Sequence, residues 1–392
     1  MTSRPWLTRN LKIVSAVSLL QDAASELLYP ILPILLTTVL GAPAAVVGAV
    51  EGVAEGVAAL TKVVAGRLSD RWRPVPLVGL GYGLAAVGKV LVAAATVWPV
   101  VLLGRSVDRL GKGIRGAPRD SLLVVGIPPE QRGRAFGFHR AADTAGAVIG
   151  PLIALAGYEL LDHRLKPLLW IAVVPAVLSA MLVYALKEPS SEVPQSVRSR
   201  DHDVAQPAHL GTPYWRVVGV LGVFSLVNFP DALLLLHLHD IGFSVVGVIL
   251  AYVGYNLVYA VLSFPAGVVA DRLGPRRVVA VGLLVFAVAY AGLGLTGSTA
   301  VSCVLLAAYG AFTALTDGVG KAWVSGLLPK QSQGTGQGYF QGVTGAGVLA
   351  AGLWAGFAWG GDGHLPLVVS GVAAAVVGLA LLVAGSRIVA EV

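Results

Sequence analysis

The sequence predicts an all-α polytopic membrane protein of twelve transmembrane helices, arranged as two six-helix pseudo-repeats. Three observations carry this. Hydrophobic residues make up 56% of the 392 positions and charged residues only 12%, about half the charged share of a soluble domain, which at this size needs a charged exterior. The apolar residues come in blocks of about 20 or more, long enough for a helix to cross a hydrocarbon core of roughly 30 Å. A set of glycines and charges then recurs in the second half of the chain at one fixed offset. A membrane barrel would instead show short alternating segments.

The spans fall at about 12–39, 44–66, 76–97, 99–122, 134–157 and 167–186, then at about 214–236, 244–268, 277–297, 300–328, 336–358 and 365–385. The first carries Arg4, Arg9 and Lys12 ahead of it and no small-residue cleavage site at a suitable place, so it reads as a retained span and not a removed signal. The stretch 187–212, with Glu188, Pro189, Pro194, Arg198, Arg200 and Asp201, reads as the one long linker. It divides the chain into a first bundle, 1–186, and a second, 213–392.

Orientation follows from the loops. Arg4, Arg9, Arg71, Arg73, Arg132, Arg134, Lys187, Arg272, Arg276, Arg277 and Lys330 fall on one side, and little beyond Arg164 and Lys166 on the other. The positive-inside rule predicts a multi-pass protein of the cell (inner) membrane with both termini and the linker cytoplasmic. The net charge of +7 is thereby explained as orientation, not as a nucleic-acid surface. The single cysteine, Cys303, excludes an intrachain disulfide and a cysteine metal cluster, and it is expected to be a buried small apolar residue.

The offset is 201. It carries Gly66, Asp70 and Arg71 onto Gly267, Asp271 and Arg272, and Gly133 and Gly137 onto Gly334 and Gly338. One shift shared by two separate loops predicts parallel repeats, with a site between them near the midplane.

At these residues the chain resembles the major facilitator superfamily, over essentially its whole length. That superfamily's loop between helices 2 and 3 has the form Gly-x-x-x-Asp-Arg-x-Gly-Arg. The chain has Gly66-Arg67-Leu68-Ser69-Asp70-Arg71-Trp72-Arg73, with Arg73 in place of the second glycine, and a more faithful second copy, Gly267 to Gly274. The resemblance implies a gating role for Gly66, Asp70, Arg71, Gly267, Asp271 and Arg272, the Asp receiving a helix N-terminus or an Arg. Two weaker motifs resemble the twelve-helix drug:proton antiporter branch: Pro30-Ile31-Leu32-Pro33, and Gly146-Ala147-Val148-Ile149-Gly150-Pro151. The second continues with Leu152-Ile153-Ala154 where that branch has further glycines. On helix 4, Gly104-Arg105 matches an antiporter arginine linked to proton coupling, but Asp108-Arg109 replaces the Gln-Gly that follows it there.

Charges at membrane depth are costly and therefore functional candidates. Asp22 and Glu26 share one face of helix 1, and Glu51 and Glu55 one face of helix 2. Lys89 lies on helix 3. Arg105, Arg109 and Lys112 form one stripe on helix 4, beside Asp108 and followed by Arg115, Arg119 and Asp120. His139, Arg140 and Asp143 lie on helix 5, Asp231 on helix 7, and Asp317 and Lys321 on helix 10. Helices 1 and 4 line the cavity in the superfamily, so Asp22 and Glu26 are expected to face the stripe. Either the charges form a buried network that exchanges partners between states, or they contact a charged solute or proton directly. The candidate pathway is Asp22, Glu26, Glu51, Glu55, Arg105, Asp108, Arg109, Lys112, Asp143 and Asp231, with Asp22 or Glu26 as proton carrier. His237, His239 and Asp240 read as an interfacial patch, Lys62 as snorkelling to the cytoplasmic face, and Trp98, Trp215 and Trp359 as interfacial anchors.

These readings converge on a secondary-active transporter exporting a small solute in exchange for protons, monomeric and in contact with lipid. Exporting divalent metal cations is one rival, favoured by the carboxylates and His139. Importing an organic anion is another, favoured by the helix 4 stripe. An intramembrane enzyme or a receptor is opposed by the doubled loop and by the lack of a nucleophile–base pair. No phosphate-binding loop of the Gly-x-x-x-x-Gly-Lys-Ser/Thr type occurs, so ATP is not the expected driver, and no cofactor or resident metal is implied.

Overall fold

A computed structural model describes residues 6–29, 31–32, 35–42, 44–69, 72–162, 164–188, 210–360 and 363–383. Among them the regular elements are all helical. The first half holds α1 (Arg9–Leu28), α2 (Ala44–Ser69), α3 (Pro74–Ala94), α4 (Trp98–Leu123), α5 (Arg132–Leu160) and α6 (Leu165–Leu182). The second holds α7 (Thr212–Ser225), α8 (Asp231–Asp240), α9 (Val245–Leu273), α10 (Pro275–Leu295), α11 (Thr299–Gly326), α12 (Gln333–Phe357) and α13 (His364–Val383). Twelve spans result, because α7 and α8 are two parts of the seventh. Pro30, Pro33, Asp70, Arg71 and the linker residues 189–209 lie outside the described residues, as does the Glu51 side chain.

Eight helices, α3, α5, α6 and α9 to α13, are long and apolar enough to cross a membrane by length and composition. Of the remaining spans, α1 and α4 carry acids and bases of the interior, and the seventh span is broken.

Two spans differ from the sequence expectation. The first is not one helix over 12–39: α1 ends at Leu28 and the chain resumes in a five-residue π turn, Leu35–Val39. The sequence carries two prolines between them, each without the N–H that an α-helix needs. The seventh stops at Ser225 and restarts at Asp231, with Pro230 as the N-cap of α8. Proline disfavours helical backbone in the residue before it. A carbonyl freed by the break is met: the Trp354 indole donates to the Leu226 oxygen at 2.7 Å. Cys303 of α11 is exposed, not buried.

Close helix packing is built on glycine. On α5, a Cβ at Gly146 would lie 2.5 Å from the Leu19 oxygen and one at Gly150 2.5 Å from the Ala23 oxygen. The two glycines therefore let α1 rest directly on α5, one turn apart, with Asp22 and Glu26 alongside. Pro151 follows inside the same helix. The second half has one continuous apolar core that includes Tyr214, Phe224, Phe286, Tyr290 and Phe312. In the first half the apolar residues separate into clusters around Leu27 to Leu36 and around Leu11 to Val17. Between these lies the charged layer of α1, α3 and α4.

The repeat reappears as contacts. Here the face where α1 begins is called the near face. There a Cβ on Gly66 of α2 would lie 2.8 Å from the Gly338 Cα and 3.0 Å from the Gly334 oxygen of α12. On the opposite flank a Cβ on Gly133 of α5 would lie 2.5 Å from the Gly267 oxygen of α9. Adding 201 to Gly66 and subtracting it from Gly334 turns the first contact into the second. The two halves thus meet through one pseudo-symmetric pair of glycine crossings.

Candidate functional site

The near-face closure begins at Asp271. It accepts from the backbone N–H of Gly133 at 2.8 Å, from that of Arg134 at 3.0 Å, and from the Arg134 side chain at 2.8 Å. The carboxylate of one half thus caps the start of α5 in the other. Beside it the Arg132 guanidinium donates to the Ser325 carbonyl and, at 3.0 Å, to the Ser325 hydroxyl.

Above this lies a belt of charges. Arg140, eight residues into α5 and about 12 Å from its start, reaches Asp143 at 2.6 Å on its own helix and Asp317 at 2.7 Å across the interface. Asp120 of α4 is fully buried and receives Arg119 at 3.1 Å, Lys321 at 2.9 Å and the Gln341 amide at 3.0 Å. Arg119 also approaches Asp143 at 3.9 Å. Three cations, Arg119, Arg140 and Lys321, face three carboxylates, Asp120, Asp143 and Asp317. The belt neutralises itself, as buried charges must.

At the centre the helix 4 stripe lies within electrostatic reach of Asp22 and Glu26, but an ion pair joins it to Glu55. Arg109 forms that ion pair with Glu55, 3.0 Å apart, because α4 packs against α2 at Gly113. Arg105 approaches Asp108 at 3.6 Å, and Asp108 is itself bonded by Lys89 at 2.9 Å in a buried cluster between α3 and α4. Glu26 accepts from the Tyr252 hydroxyl at 2.8 Å across the two halves. Asp22 and Lys112 carry no ion pair or hydrogen bond to a described residue. They lie within electrostatic reach of each other. Asp231 accepts from Tyr255 at 2.5 Å and Tyr309 at 2.6 Å.

Sequence reasoning missed a tyrosine ladder. Tyr252, Tyr255 and Tyr259 fall at i, i+3 and i+7 on α9, and each hydroxyl donates to a different acid: Glu26, Asp231 and, at 2.6 Å, Asp317. Their spacing was the available signal, since buried tyrosines seek an acceptor. Gln341 was missed too. Among the lesser candidates, His237 is buried with its Nε2 3.1 Å from the Leu293 oxygen, while His239 is exposed 4.0 Å from Asp240. Lys62 does not snorkel to a rim. It lies within electrostatic reach of Glu55, Lys112 and Lys321.

Two helical repeats closed on one face around a charged, partly water-accessible centre define a membrane carrier. The sequence profile of the Major Facilitator Superfamily matches residues 14–244 and 217–389. An uncharacterised transporter of that type from Methanocaldococcus jannaschii is 31% identical over 383 residues, covering 96% of this chain and 95% of the relative. The chain belongs to the major facilitator superfamily, and it is a transporter and not an enzyme. A multidrug resistance protein, MdtH of Photorhabdus laumondii, is 29% identical over 170 residues, 42% of each chain. Among solved structures, the human organic anion transporter MFSD10 superposes with a TM-score of 0.78 at 18% identity, covering 97% of this chain and 100% of that one. The E. coli fucose:proton symporter does so with 0.76 at 15% identity, covering 97% and 99%. At these identities the two structures speak for the fold.

Proposed function

We propose that this chain is a proton-coupled exporter of a small solute, working by alternating access in the cell membrane with its near face and both termini cytoplasmic. Asp22 carries the proposal. It is an acid at the centre of the bundle, seated by Gly146 and without an ion-pair partner among the described residues. A carboxylate so placed must meet water, a proton or a ligand. Among the described residues, Glu55, Asp108, Glu26 and Asp231 are engaged by Arg109, Lys89 or tyrosine hydroxyls. The excess of Lys and Arg in loops of one parity supports the orientation. The partial likeness to MdtH supports export.

The two repeated loop motifs, Gly66, Asp70 and Arg71 with Gly267, Asp271 and Arg272, act as the gate in this reading, and the belt exchanges partners when the gate opens. On separation, Arg140 keeps Asp143, Arg119 keeps Asp120, and Lys321 turns to Asp317 one helical turn away. Neither half is then left with an unmatched charge. The test uses purified protein in liposomes with an imposed pH gradient. Wild type is expected to couple solute movement to proton flux, read with an internal pH dye, and Asp22→Asn to lose that coupling. Full pH-dependent transport in Asp22→Asn moves the proton to Glu26, Glu51, Glu55, Asp143 or Asp231.

A further inference from the structure

Lys62 of α2 and Lys112 of α4 differ from the ion-paired interior cations and from Arg115, which lies over the Tyr82 ring. Lys89, Arg109, Arg119, Arg140 and Lys321 each have a carboxylate within 3.1 Å. The Lys62 and Lys112 ammonium groups have none among the described residues. They are also held side by side. A Cβ on Gly113 would lie 2.6 Å from the Thr61 Cβ and 3.0 Å from the Ala58 oxygen, so α2 and α4 touch at this level. Lys112 precedes that glycine and Lys62 follows that threonine.

Each lysine therefore feels the other's charge. The nearest acid, Glu55, is already engaged by Arg109. Among the described residues within electrostatic reach of Lys112, the cations Lys62, Arg109 and Arg115 stand with it against Glu55, Asp22 and Glu26, four cations to three carboxylates. Lys112 is exposed and Lys62 half-buried, and charges at this depth face water between the halves, not lipid. The Gly66–Gly338 crossing lies one turn beyond Lys62 and closes the space beneath it.

We propose that Lys62 and Lys112 form a binding site for an oxyanion group, so that the solute carries a carboxylate or a phosphate. Two like charges side by side need a counter-ion. Ammonium groups act as point charges that take either oxyanion, whereas a guanidinium fork would select planar partners. The inference rests on the reading of the central space as the solute's path. A membrane potential negative inside drives an anion outward, in the sense of export.

The experiment titrates the full-length protein in nanodiscs with succinate, glycerol phosphate, inorganic phosphate and, as a cationic probe, tetraphenylphosphonium, and reads melting temperature and heat. At least one oxyanion is expected to bind saturably and the cation not. Succinate binding without phosphate binding marks a carboxylate site, and glycerol phosphate over inorganic phosphate an organic ester. Lys62→Gln and Lys112→Gln should each weaken binding at least tenfold, the double variant abolish it, and Lys62→Arg with Lys112→Arg retain it. Unliganded melting temperatures within a few degrees of wild type show that the variants fold. Saturable binding of none of the oxyanions, binding unchanged in the double Gln variant, or binding of the cation instead overturns the proposal. Oxyanion binding without proton coupling in liposomes removes the proton reading alone. Proton coupling without oxyanion binding removes this one alone.

Discussion

Asp120→Asn probes the near-face closure most sharply. Asp120 is fully buried in α4 and holds Lys321 and Gln341 of the second half at 2.9 and 3.0 Å. The amide keeps the shape and removes the charge. Losing one member of a buried pair costs about 3–5 kcal/mol. Two fallbacks reduce this here: Arg119 has Asp143 at 3.9 Å, and Lys321 has Asp317 one turn back. In the open state Lys321 has left Asp120 anyway, so most of the remaining cost falls on the closed state. A net shift of about 2 kcal/mol, ~30-fold toward opening, is expected. Ala322→Cys in a Cys303→Ala background gives the assay. Ala322 is 7% exposed and packs into the first half's near-face cluster, so a cysteine there reacts with maleimide only when that face opens. Labelling should speed up by roughly that factor. An unchanged labelling rate in Asp120→Asn would refute the argument that these bonds hold the face shut.

Other outcomes follow from the same geometry. Gly133→Ala and Gly66→Ala should both raise maleimide labelling at Ala322→Cys, since overpacking costs about 1–3 kcal/mol; Gly52→Ala, with open space around its Cβ, should leave the rate unchanged. Asp271→Asn loses charge-assisted bonds worth about 1.5–3 kcal/mol each and should cut liposomal transport at least tenfold with normal membrane insertion, as should Asp70→Asn in the other repeat. Normal transport in both and in the double variant would remove the gating role. A double-mutant cycle on transport should give a larger coupling for Arg140 with Asp317, whose side chains are 17% and 36% exposed, than for Arg109 with Glu55, where the Glu55 side chain is 54% exposed and the coupling should fall below about 1 kcal/mol. Strict additivity at Arg140 and Asp317 contradicts a bond across the halves.

The helices and the repeat could be read from the sequence because both rest on local pattern. Apolar length marks a span. The 201 offset survives as the Gly66–Gly334 and Gly133–Gly267 crossings. Partner choice among the charges could not be read the same way. Spacing puts Arg105, Arg109 and Lys112 on one face of α4, but which acid each meets depends on how neighbouring helices are rotated and how closely they approach. Gly113 brings α4 against α2 and gives Arg109 to Glu55; Gly88 and Gly104 bring α3 against α4 and give Lys89 to Asp108. Asp22 and Glu26 are left to the space between the halves and to Tyr252. The break in the seventh span did have a signal, Pro230, masked by apolar residues on both sides.

The account's central claim is that one site is opened to the two faces in turn and that Asp22 governs the switch. Spin-label distances on two cross-half pairs test it most directly, in a Cys303→Ala background. Val125 and Leu273 report the near face; Val97 and Leu295 report the other. All four are exposed. On changing pH the account predicts reciprocal movement, one pair widening as the other narrows, and a loss of that response in Asp22→Asn. Both pairs moving together, neither responding to pH, or Asp22→Asn responding as wild type would contradict it.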